Sequence, residues 1–354
     1  MKELLPKLRN SIKFDHLYAL TDHNGVLQHA EFSVPSKRKG YALDDNARAL
    51  VLASKARSLF PSHRLEGLSE FQRKTLAFIL LMQSEDGRFH NLMDFSQRIT
   101  DDASVGDHLG RAIWSAGAVI NSDLPSGMKN SARRIFDRAL PWGRTTNSLR
   151  TLAYASLGLG ERLHSEQSDR NLILNQEEFA RKLLQEFEKN SSKGWNWFED
   201  KLTYDNARLS QALFVAYQAI GESEILATAE QSLQFLLSVT TKDGMHVPIG
   251  NRGWYTRGGE PAQYDQQPVD VGAIIETTAL AYKLTGNDIY EKAFRRALGW
   301  FFGLNTKSLE VYDPSTGACF DGITPAGINE NQGAESTIAF LLGVVTAIEN
   351  FGET

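Results

Sequence analysis

Apolar residues recur at the three- and four-residue spacing of helices along most of the chain, which predicts eleven helices. The predicted segments are Ala47–Leu59, Phe71–Met82, Arg111–Ile120, Ala132–Leu140, Leu149–Leu163, Phe179–Phe187, Ala207–Ile220, Ile225–Val239, Ala273–Leu284, Tyr290–Phe302 and Ser336–Phe351. Strand signals are rare. The stretch Gly25–Val34 partly alternates between apolar and polar residues beside a glycine, which predicts a short N-terminal β-hairpin. The fold class is therefore predicted to be all-α with a minor β element.

Every second predicted helix opens in a similar way, with an acidic or short polar residue, then small residues and an apolar run. The markers of this repeat are Asp45, Asp107, Ser148, Asp205, Asp270 and Glu335. Each step between markers holds two helices and their loops. The motifs DDNAR at 44–48 and YDNAR at 204–208 are nearly the same. The chain is thus built from a repeated helix pair.

Six helix pairs in series predict a closed (α/α)6 toroid. The marker helices are rich in small residues, which suits a closely packed inner ring, whereas helices such as 177–189 are amphipathic and suit an outer ring. The twelfth helix, an outer one, would either come from residues 1–14 or be missing. A TPR or HEAT solenoid is the alternative, but its period of roughly 34–47 residues is shorter than most of the steps seen here. No linker divides the sequence, which predicts one domain over residues 1–354.

Composition narrows the possible functions. The formal net charge of −5 disfavours a nucleic-acid partner, and the single cysteine, Cys319, excludes an internal disulfide and a cysteine-rich zinc site. No run approaches the roughly 18 apolar residues of a membrane span, and the N-terminus does not resemble a secretory signal. Phosphate-binding and dinucleotide-binding motifs are missing as well. These features predict a soluble, cytoplasmic protein with no membrane contact, cofactor or metal.

The loops that lead into the inner helices carry the candidate chemistry. In a toroid the N-termini of the inner helices gather at one mouth, and these loops line it. They are rich in Trp, Tyr, Asp, Glu, Asn, Gln and Arg, chiefly in residues 89–108, 194–205, 246–270 and 320–335. Aromatic faces stack on sugar rings, and two carboxyl groups can act as acid and base on a glycosidic bond. The loops therefore indicate a carbohydrate site.

A purely structural interpretation accounts for the same acids. Asp44, Asp205, Asp270 and Glu335 lie where helix caps or first-turn acids stabilise the helix dipole. Glu276 lies two turns into an apolar helix, where a buried acid needs a partner, so it is either a paired structural acid or a catalytic residue.

The chain resembles toroidal glycoside hydrolases and related sugar enzymes. More closely, it resembles a bacterial group of α/α-toroid proteins often labelled glycosyltransferase-related. The matching segments span nearly the whole chain and include LTDHNGVLQHA (20–30), GYALDDNARAL (40–50), DGRFHNLMDF (86–95), GRAIW (110–114), WFEDKLTYDNARL (197–209) and NQGAESTIAFL (331–341). In that group the toroid occurs alone or behind a glycosyltransferase domain, and some members lie near mannoside-processing genes. The resemblance implies an oligosaccharide partner and a functional association with a glycosyltransferase.

The resulting expectation is a glycoside hydrolase that acts on a short oligosaccharide, such as a manno-oligosaccharide. Inversion through two carboxyl groups is expected by analogy with other toroidal hydrolases. The candidate catalytic residues are Asp45, Asp107, Glu199, Asp205, Asp270 and Glu335, with Glu199 or Asp107 favoured as the acid and Asp45 or Glu335 as the base. The candidate sugar contacts are Asp44, Asn46, Arg48, His108, Arg111, Trp195, Trp197, Tyr204, Asn206, Arg208, Trp254 and Asn331.

Two alternatives belong to other functional classes. A sugar epimerase or isomerase on the same toroid would use histidine bases near the ring centre, for which the loops offer His90, His108 and His246. A non-catalytic glycan-binding module would bind sugar without turnover.

Overall fold

Helices make up most of the computed structural model, which describes residues 4–61 and 65–352. The helices are α1 (Leu4–Ser11), α2 (Asp15–Ala19), α3 (Leu43–Leu59), α4 (Leu68–Met82), α5 (Asp107–Asn121), α6 (Ser126–Thr145), α7 (Leu149–Ser165), α8 (Arg170–Asn190), α9 (Ala207–Ile220), α10 (Ser223–Val239), α11 (Pro268–Thr285), α12 (Asp288–Trp300) and α13 (Ala334–Phe351). Each of the eleven predicted segments falls on one of α3 to α13, although α12 ends two residues before the predicted Phe302.

Six of these helices close into an inner ring. Helices α3, α5, α7, α9, α11 and α13 each pack against the next, and α13 returns to pack against α3. Helices α4, α6, α8, α10 and α12 pack outside the inner helices that precede them, and α1 and α2 pack against α13. The predicted (α/α)6 toroid is confirmed, and the N-terminal residues supply its twelfth position.

Burial distinguishes the two rings. The outer helix α8 buries a stripe at helical spacing, which includes Leu172, Phe179, Leu183 and Phe187. The inner helix α13 is long and apolar enough to cross a membrane, but 78% of it is buried inside the protein. Its apolar composition is therefore that of a core helix surrounded by other helices.

Small residues allow the inner helices to approach closely, most clearly between α5 and α7. A Cβ atom added at Gly117 would lie 2.3 Å from the carbonyl oxygen of Gly158, and one added at Gly158 would lie 2.5 Å from that of Ile113. Real Cβ atoms do not make contacts this short, so the two glycines set the distance between the helices.

Short strands lie in the segments that precede the inner helices, at one end of the ring. They are β1 (Leu27–Glu31), β2 (Val34–Ala42), β3 (Leu92–Met93), β4 (Lys201–Leu202), β5 (Thr241–Lys242), β6 (Met245–His246), β7 (Tyr255–Thr256), β8 (Tyr312–Asp313), β9 (Ala318–Cys319), β10 (Ile323–Thr324) and β11 (Gly327–Ile328). The antiparallel pair β1–β2, with Glu31 opposite Val34, is the predicted N-terminal hairpin, and β2 continues further than expected to the start of α3.

We expect Gly158→Ala to lower the free energy of unfolding by about 1–3 kcal/mol, because the added methyl group must push α5 and α7 apart. Gly127→Ala is the matched control, since a Cβ atom at Gly127 in α6 would meet no atom within 4 Å. Urea unfolding followed by circular dichroism measures both variants. Equal stability of the two variants would contradict the close-packing argument.

Candidate functional site

The N-terminal ends of the inner helices converge at one end of the ring, which we call the mouth. Arg111 at the start of α5 lies 2.6 Å from Asp44 Oδ1 at the start of α3 and 3.8 Å from Asp205 Oδ2 beside α9. The backbone N–H of Asp205 donates to Asp270 Oδ1 at the start of α11, at 2.6 Å. Side chains from four inner helix starts thus form one connected set.

Arg48 joins α13 to this set. Its Nη2 atom donates to Asp45 Oδ1 at 2.8 Å and to Glu335 Oε2 at 2.9 Å. Arg48 and Asp45 are buried, whereas the side chain of Glu335 is 46% exposed. The mouth therefore has a buried charged floor and a partly open acidic rim.

The ring axis below the mouth is filled by stacked cations and aromatic rings. Arg208 Nη2 donates to Glu276 Oε1 at 2.7 Å, and its guanidinium lies 5.0 Å from the centre of the Trp114 ring. Arg111 stacks over Tyr154 in the same way, at 4.5 Å. The structure thus favours the paired structural role for Glu276, one of the two that its sequence position left open.

Two adjacent carboxyl groups on α3 are pushed towards opposite protonation states. Burial alone would raise the pKa of Asp44, but the Arg111 and Arg48 guanidiniums outweigh it and hold that pKa below its usual range. Burial raises the pKa of Asp45 to about 7; Glu335 and Asp44 act in the same direction, and Arg48 opposes them. Two nearby carboxyl groups whose pKa values are shifted in opposite directions are typical of acid–base catalysis.

The rim carries an aromatic wall. Tyr204 is 36% exposed, lies 6.5 Å from Trp254 between ring centres, and hydrogen-bonds through its hydroxyl to Asp107. Below Tyr204, the Arg150 guanidinium stacks at 4.9 Å and donates to Glu199 Oε2 at 2.9 Å. Tyr204, Trp254, Asp107 and Glu199 are therefore brought together on one side of the mouth.

Two expected sugar contacts are placed elsewhere. Trp195 and Trp197 are buried, and both rings pack against Phe235. These two large apolar rings are more fully buried in the core than they would be at the mouth. Neither ring therefore has an exposed face on which a sugar could stack. This corrects their expected placement.

Several other predicted contacts hold the loops that line the mouth. Asn46 is buried and accepts a hydrogen bond from Val26 N at 2.9 Å, which ties the hairpin to α3. The side-chain oxygen of Asn206 accepts from Thr203 N within its own turn and from Arg150 on α7. The ring of His108 contacts the carbonyl oxygen of Phe89 at 3.1 Å. Asn331 accepts from the backbone N–H of Phe32 at the hairpin turn.

Sequence reasoning missed two residues of the site. Arg150 lies near the start of α7, as Arg48, Arg111 and Arg208 lie near the starts of their helices, so the repeat itself could have revealed it. Tyr154, whose hydroxyl hydrogen-bonds to Asp205, had no local signal because its role depends on a residue 51 positions away.

A second concavity lies at the opposite end of the ring. It has a volume of about 200 Å³ and is lined by Lys55, Glu161 and Glu349 among others. Lys55 neutralises both acids there, at 3.4 and 3.7 Å. We place the candidate site at the mouth instead, because two acids with oppositely shifted pKa values and a partly exposed aromatic wall lie there. Within the described ranges, no group of three or more His, Cys, Asp or Glu residues could hold a metal ion.

Comparison with known proteins supports the fold. No protein-family model and no curated protein matches the sequence. A cellobiose 2-epimerase from Bacillus thermoamylovorans B4167 superposes with a TM-score of 0.73 at 10% identity over 98% of this chain and 99% of that chain. A D-mannose isomerase superposes with a TM-score of 0.72 at 13% identity, over 99% of this chain and 98% of that chain. The GH76A alpha-1,6-mannanase of Salegentibacter sp. HEL1_6 superposes with a TM-score of 0.64 at 12% identity, over 97% of this chain and 98% of that chain. The chain thus shares its (α/α)6-toroid fold with these proteins.

We expect Asp45→Asn to stabilise the protein more at pH 8 than at pH 5. The pKa of Asp45 is about 7 in the folded chain and about 4 in an unfolded one, so the folded state binds the proton more tightly. Stability is therefore lost as the pH rises through that window. Asparagine does not ionise and avoids this loss, so at pH 8 the variant's free energy of unfolding should exceed that of the parent protein by at least about 1 kcal/mol.

Urea unfolding at the two pH values measures this difference. Asp102→Asn, at an exposed aspartate, is the control and should change stability equally at both. A difference for Asp45→Asn that does not depend on pH would show that this carboxyl group is ionised at both values.

Proposed function

We propose that this chain is a carbohydrate-active enzyme, specifically a glycoside hydrolase that acts on a short neutral oligosaccharide such as a manno-oligosaccharide. The observation that carries the proposal is the Asp44–Asp45 pair at the partly open mouth, where Arg111 and Arg48 hold the pKa of Asp44 below its usual range and burial raises the pKa of Asp45 to about 7. The fold shared with an epimerase, an isomerase and a mannanase is consistent with sugar chemistry.

In this mechanism Asp45 is the general acid and Asp44 the general base. Asp45 gives its proton to the glycosidic oxygen as the bond from that oxygen to the anomeric carbon breaks. A water molecule forms the new bond to the anomeric carbon, and its proton passes to the Asp44 carboxylate. The product then has the inverted anomeric configuration. These roles differ from the sequence-based expectation, which favoured Glu199 or Asp107 as the acid and Asp45 or Glu335 as the base. Asp45 is preferred here as the acid because burial raises its pKa to about 7.

Charge at the mouth favours a neutral sugar. The partly exposed groups include the carboxylates of Asp44, Glu199 and Glu335, whereas the arginines beneath them are buried and paired. A phosphate or uronate group would meet this acidic rim at an energetic cost. The Tyr204–Trp254 wall offers ring faces on which the C–H surface of a neutral sugar can stack.

Hydrolysis is favoured over epimerisation by the placement of the histidines. Among the described residues, His108 is the histidine at the start of an inner helix, and its ring contacts the Phe89 carbonyl oxygen and the Ser104 hydroxyl. That ring is committed to its own loop, whereas an epimerase needs a base that reaches the sugar.

We expect Asp44→Asn and Asp45→Asn each to lower kcat by about 10² to 10⁴ while oligosaccharide binding is retained, because each removes one proton-transfer group. The assay incubates the protein with manno-, gluco-, xylo- and galacto-oligosaccharides and follows the products by anomeric NMR. Asp102→Asn should leave kcat unchanged.

Other outcomes of the same assay identify the alternatives. Retention of the anomeric configuration would make Asp44 a nucleophile. A change of sugar configuration without cleavage would indicate an epimerase or isomerase. Binding detected by calorimetry without any turnover would indicate a non-catalytic module.

A further inference from the structure

A small cavity lies next to the mouth, where the turn before α9, the end of α10 and the start of α11 meet. Its volume is about 10 Å³, and its lining includes Asn206, Thr240, His246 and Asp270. That volume matches a single water molecule, which needs about one probe sphere of space and two or more polar partners.

Two buried polar atoms at this cavity have no hydrogen-bond partner within the described part of the chain. They are His246 Nε2 and Asp270 Oδ2, on residues that are 2% and 7% exposed. An unsatisfied buried polar atom costs about 1–3 kcal/mol, so two of them lining one water-sized space point to a shared ligand.

The hydrogen-bonding character of the two groups is complementary. Burial lowers the pKa of His246 to about 3, with Arg296 acting in the same direction, so the imidazole is neutral. The backbone of Thr240 hydrogen-bonds to the ring, which leaves Nε2 as the bare acceptor. Burial also raises the pKa of Asp270 well above its usual range; the charges of Asp205 and Glu335 act in the same direction, whereas the hydrogen bond from the Asp205 backbone N–H and the charge of Arg150 oppose them. Asp270 is therefore a donor.

We propose that one buried water molecule occupies this cavity, accepts a hydrogen bond from the Asp270 carboxyl group and donates one to His246 Nε2. The three groups form a positioning clamp on the turn that precedes α9. This clamp goes beyond the proposed function, and its existence does not depend on that function. Only the effect of the clamp on turnover rests on the proposed function.

The clamp acts through Asp205. The other Asp270 oxygen accepts the Asp205 backbone N–H at 2.6 Å, and Asp205 has a φ of +51°, in the left-handed region that non-glycine residues rarely adopt. The same turn carries Tyr204 to the rim, and the Asp205 carboxylate contacts Arg111 on the floor. Orienting the Asp270 carboxyl group therefore fixes both the aromatic wall and the charged floor.

Asp270→Asn and Asp270→Leu separate a clamp from a catalytic acid. Asparagine reproduces the protonated carboxyl group, since its oxygen can accept from Asp205 N–H while its amide donates to the water; leucine can do neither. We expect the Asp205 amide to exchange with deuterium within about threefold of the parent rate in Asp270→Asn and at least about tenfold faster in Asp270→Leu. His246→Phe should also accelerate exchange, because it removes the acceptor.

Two measurements on the unmodified protein complete the test and do not depend on whether the leucine variant folds. Imidazole ¹⁵N NMR should show His246 neutral at pH 5, with the proton on Nδ1 and Nε2 as a hydrogen-bonded acceptor. A high-resolution crystal structure should show one water between His246 and Asp270.

The clamp is rejected by equal acceleration of exchange in Asp270→Asn and Asp270→Leu, by an imidazolium or an Nε2-protonated ring at pH 5, or by a cavity without water density. Failure of the proposed hydrolysis would appear differently, as absence of product with the exchange and NMR results unchanged. Loss of kcat in Asp270→Asn with normal Asp205 exchange would contradict a purely positioning role.

Discussion

Burial of a charged network on the ring axis is the constraint on which the rest of this structure depends. Closing six helices into a ring leaves an axis that must be filled, and this chain fills it near the mouth with Arg48, Arg111 and Arg208. Each arginine pairs with an acid on another inner helix, namely Glu335, Asp44 and Glu276. Removing one partner of a buried pair leaves an uncompensated charge, which typically costs about 3–5 kcal/mol. The pairs therefore favour one rotation and height for each inner helix relative to its neighbours.

The same network determines the chemistry available at the mouth. Asp44 and Asp45 are neighbours in sequence and equally part of α3, yet the guanidinium of Arg111 reaches Asp44 and not Asp45. Asp45 shares Arg48 with a second acid, Glu335, so one cation serves two carboxyl groups. A shortage of positive charge at this point lets burial dominate, and it is what would keep a proton on Asp45 near neutral pH. Such a site works against stability, as functional sites often do.

Around this floor, polar residues that looked like ligands serve to hold loops. Backbone atoms of nearby loops hydrogen-bond to the side chains of Asn46, Asn206 and His108. These bonds order the lead-in loops at the mouth. Tyr204 differs because its hydroxyl bonds across to Asp107 while its ring stays partly exposed. Rigid loops with a few accessible aromatic and acidic groups are suited to recognising a neutral, hydroxyl-rich ligand.

The sequence by itself determined the helix positions, the pairing of inner and outer helices and the end of the ring where acids collect. Those features follow from local periodicity and from a motif repeated at 44–48 and 204–208. A motif that recurs can be detected from the sequence alone. Tertiary structure alone decided that Asp44 pairs with Arg111, 67 residues away, that Asp270 bonds to Asp205, and that Trp195 and Trp197 lie in the core. Tertiary contacts also brought Arg150 and Tyr154 to the site. Protonation and burial depend on distances across the ring, and these exist only once the last inner helix has closed against the first.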